Sequence, residues 1–380
     1  MISPIKPIRY CLPQVPGWHT RRKIVVIESD DWGSIRMPSR EIYEALLQKG
    51  YHVDRDPYMK YDALASEEDL EALFEVLSSV KDRQGNPGRL TANCVVSNPD
   101  FPKIREGGFS SYHYEVFTET LKRYPAHAHS FDLWREGMAA GLFRPQYHGR
   151  EHVNVSRWMD ALRKEDPTVR LAFDLQMLSI SSEPVEEPVT YMESMEFIND
   201  RQRDEIGESL VDGMRLFREL FGWTPTSFIG TCYTWSKKHE QLLHQQGIRS
   251  IQGIPFQRQP VVRDKGFRYR YTFHYTGQKN ANDQVYLVRN VFFEPSLDPV
   301  NFGKENCMKR VGIAFDMHKP VIISSHRLNY IGHVDRRNRE NNLRGLRDLL
   351  GEMVRRWPDI EFMSSDQLGD LILGEQDKNH

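Results

Sequence analysis

Ile24-Val25-Val26-Ile27-Glu28-Ser29-Asp30-Asp31-Trp32-Gly33-Ser34 is the stretch on which the reading of this chain turns. Four consecutive β-branched apolar residues describe a strand buried on both faces, as in a parallel sheet. An acidic cluster and a glycine follow at its C-terminal end, where α/β sheets and barrels keep their chemistry. Two adjacent carboxylates there can divide the labour, one binding a metal and the other taking a proton. The same residues also read as an Asx-turn with Ser34 or Asp31 capping a helix, so the pair alone decides nothing.

Composition narrows the field. A length of 380 residues suits one barrel carrying insertions, and 39% hydrophobic residues in patterned runs describe a globular chain. Lys and Arg number 51 against 53 Asp and Glu, with no basic tail or stripe, so no nucleic-acid partner is expected. Cys11, Cys94, Cys232 and Cys307 are far apart and form neither a C-x-x-C metal pattern nor a disulfide framework. The first nine residues lack an apolar signal core, and no stretch approaches the ~18 apolar residues of a membrane helix. The expectation is a cytoplasmic protein without a membrane span.

Along the chain, strands alternate with helices. Residues 1–22 read as a Pro-rich N-terminal extension. After strand 23–28, the patterns predict helices over 39–49 and 66–82, the second opened by a capping box of Ser66 and Asp69. Strand 90–96, helices 113–123 and 129–140, strand 142–147 and helix 155–165 follow. Residues 171–178 fit either a strand or an insertion, and 182–189 a loop with two prolines. A long helix covers 195–220, then strand 226–230, a helix opened by Ser236, and strand 248–252. Residues 253–283 read as an irregular basic insertion. Strand 285–288, helix 304–317, strand 320–323, helix 338–355, strand 360–363 and a last helix complete the pattern. About eight strands in βα alternation predict a parallel barrel, one domain over 23–372 with a tail at 373–380.

The polar residues at strand ends carry the candidate chemistry. His148 and His152 follow strand 142–147 four residues apart, a spacing that on one helical turn presents two imidazoles to a shared metal. With Asp31 they make a two-His, one-carboxylate set that leaves positions open for water and substrate. Asp30 then stands as general base. His326, after Val321-Ile322-Ile323, has the acidity to protonate a leaving amine. Trp32, Tyr147, Tyr233, Trp235 and Tyr330 read equally as cleft walls or as core.

In this order the segments resemble the polysaccharide deacetylase superfamily, carbohydrate esterase family 4 with the NodB-homology fold. Glu28-Ser29-Asp30-Asp31-Trp32-Gly33 resembles its T-F-D-D-G motif. His148 and His152 match the spacing of H-[S/T]-x-x-H, with Gly149 at the Ser/Thr position. Phe228-Ile229-Gly230-Thr231-Cys232-Tyr233 is similar to F-R-P-P-Y-G, and Ile323-Ser324-Ser325-His326 to the strand ending L-x-H. The resemblance spans most of 23–372, with large insertions near 35–85, 100–140, 180–200 and 255–300. It implies a distorted (β/α)7 TIM-like barrel and metal-dependent hydrolysis of an acetamide or acetate ester on a sugar. It also implies Asp30 as base, Asp31, His148 and His152 as ligands of a divalent metal, zinc foremost with cobalt or nickel as alternatives, and His326 as acid. Substrate contacts are expected from Trp32, Tyr147, Cys232, Tyr233, Trp235 and Arg327.

Two features depart from the pattern. Ile229 stands where the third motif has the Arg that orients the base, and Arg144, Arg150, Arg289 or Arg327 could take over from elsewhere. The fourth motif has no recognisable counterpart. A backbone N–H of Cys232 or Tyr233 could still serve an oxyanion. Alternative readings are a glycoside hydrolase or other C–N hydrolase on a related barrel, or a degenerate glycan-binding protein. The sugar, the acyl group and the oligomeric state are not encoded in any motif.

Overall fold

The computed structural model describes residues 14–181, 190–264 and 266–378. Most of the N-terminal extension, the loop 182–189 and the final two residues of the tail lie outside the described residues.

Nine parallel strands form one curled sheet: β1 (Lys23–Trp32), β2 (Leu90–Cys94), β3 (Phe143–Tyr147), β4 (Ser227–Phe228), β5 (Ser250–Gly253), β6 (Val285–Val288), β7 (Val291–Phe292), β8 (Val321–His326) and β9 (Ile360–Met363). Their order is β6-β5-β4-β3-β2-β1-β8-β7, with β9 pairing to the first residues of β1. β6 and β7 are two halves of one stave. Val285–Val288 pairs with β5, the Arg289 N–H donates to the Gly253 carbonyl, the Asn290 N–H donates to the Ile322 carbonyl, and Val291–Phe292 pairs with β8. That change of neighbours joins the two ends of the sheet into a distorted barrel.

The period-2 alternation of strands sorts β1 between two cores. Val25 and Ile27 pack outward in the main core, beneath the surrounding helices. Ile24 and Val26 turn to a second cluster with Val285, Leu287 and Ile322, against Leu368 and Ile372 of the closing helix Ser365–Asp377. On that second side the next residues are Glu28 and Asp30, and on the neighbouring staves Arg289, Ser324 and His326. The interior is therefore apolar at its N-terminal end and charged at its C-terminal end.

Most predicted elements stand where the patterns place them. Ser66 caps the helix Glu67–Ser78 through the capping box with Asp69, and Ser236 caps Lys237–Gln245. Four regions differ. Residues 167–174 form a helix, because Asp166 caps it and Pro167 occupies its first position. Residues 114–116 are extended, in a short hairpin with Ser97–Pro99. The basic insertion contains a regular antiparallel hairpin, Phe256–Arg263 with Gly266–Phe273. The closing helix continues to Asp377, into the stretch expected as tail. Among the described residues no helix is long and apolar enough to cross a membrane.

Gly33, directly after β1, has φ +82°, and a Cβ there would lie 2.5 Å from the Val95 carbonyl oxygen. Gly50 has φ +87° with open space around it. Urea denaturation should therefore find Gly50→Ala destabilising by about 1 kcal/mol, from backbone conformation alone. Gly33→Ala should lose ~2–4 kcal/mol, because backbone must also move.

Candidate active site

A bulge at the end of β1 builds the site. Ser29 pairs with Ala92 and Trp32 with Cys94, so Asp30 and Asp31 together oppose the single residue Asn93. Strict alternation would send one of two adjacent carboxylates outward. The extra residue, with Asp31 at φ +73°, keeps both facing the same cavity. Such a backbone conformation in a non-glycine residue persists only where surrounding contacts hold it.

Three of those contacts surround Asp31. Its Oδ1 lies 3.0 Å from His152 Nε2 and 3.5 Å from His148 Nε2, and its Oδ2 accepts from Arg36 Nη2 at 3.1 Å. One donor atom from each of Asp31, His148 and His152 falls within 4.8 Å of the others, and all three residues are buried. His148 Nδ1–H donates to the Ile229 carbonyl at 2.9 Å, which fixes the tautomer and leaves Nε2 with its lone pair. That buried Nε2 has no hydrogen-bond partner. Burial pushes His152 below the ordinary imidazole value, toward the neutral form that metals require, against the pull of Asp31. This donor set fits a divalent first-row ion. The two histidines converge through a loop, not a helical turn: Gly149, at φ +121°, bends the chain between them.

Asp30 is held differently. Arg289 Nη1 donates to its Oδ2 at 2.7 Å and Nη2 to its Oδ1 at 2.6 Å, while Nε donates to Glu28 Oε2 at 2.6 Å. Asn93 Nδ2 adds a bond to Asp30 Oδ1 at 2.8 Å. Burial alone would raise the Asp30 carboxyl, but the guanidinium outweighs it and brings the value down to about 2. Of the four arginines that could replace the third-motif Arg, the geometry selects Arg289. Arg144 instead pairs with Asp366, Arg150 with Glu151 and Asp212, and Arg327 with Asp62.

His326 Nε2 lies 3.8 Å from Asp30 Oδ2, and its Nδ1–H donates to Glu294 Oε1 at 2.6 Å. Burial lowers the imidazole, but the Glu294 carboxylate overrides it and raises the value to about 9. Glu294 itself is fixed by Asn329 Nδ2 at 2.6 Å. Sequence reasoning missed Glu294 and Arg36. Glu294 follows the apolar run Val291-Phe292-Phe293, a strand-end signal of the kind used for His326.

The cavity has a volume of about 310 Å³, and Cys232 and Tyr233 line it from a turn in which both have positive φ. The Tyr233 N–H is spent on the Gly230 carbonyl at 3.0 Å, so of the two backbone donors considered for an oxyanion only that of Cys232 is left. The other expected substrate contacts are elsewhere. Trp32 packs edge-on against Trp134 and Phe143 with its indole N–H on Ser29. Tyr147 points outward and donates to the Leu210 carbonyl, and Trp235 donates to Glu240. Arg327 is fully buried, its guanidinium on Asp62, and Tyr330 shares a hydrogen bond with Ser325. Each of these side chains is satisfied inside the protein and none lines the cavity.

No family model matches the chain, and no curated protein matches it. Among solved structures it is similar to a candidate polysaccharide deacetylase from Mycobacterium smegmatis, at 11% identity and TM-score 0.45, covering 95% of this chain and 94% of that one. The Puue allantoinase is similar at 10% identity and TM-score 0.43, over 93% and 91%. The 4-alpha-glucanotransferase from Thermococcus litoralis is similar at 9% identity and TM-score 0.45, over 91% of this chain; the chain spans only 40% of its length. The fold assignment stands on the strand order and the chemistry on the side chains, since all three scores lie below 0.5.

Elemental analysis should find one divalent ion per chain, with the His148→Ala/His152→Ala double variant losing about tenfold or more of it. Removing Arg289 strands two buried carboxylates. Arg289→Met should destabilise the protein by ~3–5 kcal/mol in urea titration, and adding Glu28→Gln should recover part of the loss.

Proposed function

We propose that this chain is a metal-dependent hydrolase that removes an acyl group, foremost acetyl, from a nitrogen or oxygen of a sugar. The observation that supports this most is the buried Asp31–His148–His152 set lying beside Asp30 and the His326–Glu294 pair in one cavity. The donor set favours zinc, with cobalt or nickel able to serve.

A divalent ion bound there supplies an activated water and polarises the acyl carbonyl. The chain's own residues do the rest. Asp30, kept ionised by Arg289, accepts the proton of the attacking water. The Cys232 N–H supports the carbonyl oxygen as it gains charge. His326, kept protonated by Glu294, gives the Nε2 proton to the departing nitrogen or oxygen. Arg36 holds the second oxygen of Asp31 and leaves the first facing the imidazoles.

The competing readings fit less well. A glycoside hydrolase needs one carboxyl protonated near neutrality, and neither Asp30, at about 2, nor Asp31, well below the carboxylate range, meets that need. A binding protein has no use for a proton donor locked on its own carboxylate. The missing third-motif Arg does not favour it either, since Arg289 holds Asp30 from another stave.

Asp30→Asn should lower kcat on acetylated sugars by ~10²–10⁴-fold while metal content stays unchanged. The raised value of His326 means that its acid form dominates below about pH 9 and is lost above it, so the rate should fall on the alkaline side of about 9. In Glu294→Gln that limb should move down toward the ordinary imidazole value of about 6.5. An unmoved limb would remove His326 from the mechanism.

A further inference from the structure

The hairpin Phe256–Arg263/Gly266–Phe273 turns several large aromatic side chains of one face to solvent. Its register places Phe256, Arg258, Pro260 and Val262 on one face, opposite Phe273, Tyr271, Tyr269 and Phe267. The other face carries Gln257 and Gln259, opposite Thr272 and Arg270. In a half-buried ribbon the apolar face turns inward. Here Gln257 and Gln259 are buried, at 3% and 8% exposure, with Pro260 of the aromatic face buried beside them, while Phe256, Tyr271 and Phe273 stand 54%, 63% and 39% exposed. Three of the six exposed large hydrophobic residues among the described ones thus share this one face.

The hairpin is fixed to the wall of the catalytic cavity. Gln257 Nε2 donates to the Trp235 carbonyl at 2.8 Å, and the Trp235 N–H donates to the Arg258 carbonyl at 3.4 Å, two residues beyond Tyr233. Arg258 belongs to both places. It sits on the aromatic face, its guanidinium 5.8 Å from the centre of the Tyr269 ring, and it lines the cavity beside Cys232 and Tyr233.

The geometry points to the aromatic face of this hairpin as a binding platform for the sugars that extend beyond the acylated residue in the cavity. This rests on the hydrolase reading for what occupies the cavity. Aromatic faces take the C–H face of a pyranose ring, while the Tyr271 hydroxyl and the Arg258 guanidinium can meet its hydroxyl groups. A second copy of the chain is a poorer occupant. A stable dimer buries about 800 Å² per partner, and three aromatic rings supply at most roughly 150–250 Å² each. The platform selects a chain of several sugars over a single one, and Arg258 adds a preference for an anionic group at the junction.

The test uses N-acetylchitopentaose and N-acetylglucosamine on the full, metal-loaded chain. Binding is measured by calorimetry on Asp30→Asn and on Asp30→Asn/Tyr271→Ser, and turnover on the parent and Tyr271→Ser. The pentaose should bind at least about tenfold more tightly than the monosaccharide, and Tyr271→Ser should erase most of that ratio, with Tyr271→Trp restoring it. Phe256→Ser/Phe273→Ser should act in the same direction, and circular dichroism checks that each variant folds. A ratio untouched by both variants, or no pentaose binding at all, overturns the platform. So does sedimentation showing a dimer that Tyr271→Ser splits, or anionic phospholipid vesicles that bind the parent and not the variant. Turnover without length dependence leaves the hydrolase reading intact and removes the platform. Hairpin-dependent binding without turnover does the reverse.

Discussion

One guanidinium carries the centre of this molecule. The Arg289 side chain is fully buried and bonds Asp30 with two nitrogens and Glu28 with the third. A buried ion pair is no automatic source of stability, because desolvation opposes the attraction and only close, complete hydrogen bonding offsets it. The geometry here meets that condition. Arg289 also stands where stave 285–292 leaves β5 for β8, so the residue at the closure of the barrel is the one that fixes Asp30. Fold and chemistry share a single cation, and the same structural demand that keeps Glu28 compensated keeps Asp30 ionised.

How much of this was legible from residues alone follows from how local each signal is. The buried run Ile24–Ile27, the acidic end of β1, the histidine pair and His326 are each encoded within a few positions, and the structure brings them to one cavity. Arg289 and Glu294 are equally close to strand ends, but their meaning depends on which staves become neighbours, and that is settled only when the barrel closes. Gly149 shows a subtler limit. The four-residue spacing of His148 and His152 suggested a helical turn, yet a loop with one positive φ gives the same convergence. Trp32, Tyr147 and Trp235 misled for a physical reason. Trp32 and Tyr147 end strands, as site residues do, and Trp235 follows one, but each packs into the core with an internal hydrogen bond.

The hairpin 256–273 failed to show because its alternation is not apolar-in and polar-out: Gln257 and Gln259 are buried while Phe256, Tyr271 and Phe273 are exposed. Period-2 patterning identifies a strand when the apolar side is the buried one. Here arginines and aromatics interleave, glutamines face inward, and the composition looks like a solvated loop. What gives the segment its order is cross-strand pairing and anchorage to Trp235, neither of which leaves a local trace in sequence.

The adjacent aspartates pose the sharpest demand on the fold, since identical side chains one residue apart must do different things. The bulge solves only the direction in which they point. The difference in character comes from their partners. Asp30 is enclosed by Arg289, whose charge is permanent, and by the neutral donor Asn93, so it stays an anion with no proton of its own. Asp31 has one oxygen on Arg36, which Asp62 shares at 3.3 Å and which Arg327 braces from beyond, and the other oxygen faces two imidazoles. That side of Asp31 therefore meets the imidazole nitrogens of His148 and His152 and no guanidinium. Two carboxylates given separate guanidiniums, one braced by Glu28 and the other by Asp62, are held in different surroundings. The strained backbone at Asp31 is what this partition requires, because a relaxed strand would leave one of the two guanidiniums without its carboxylate.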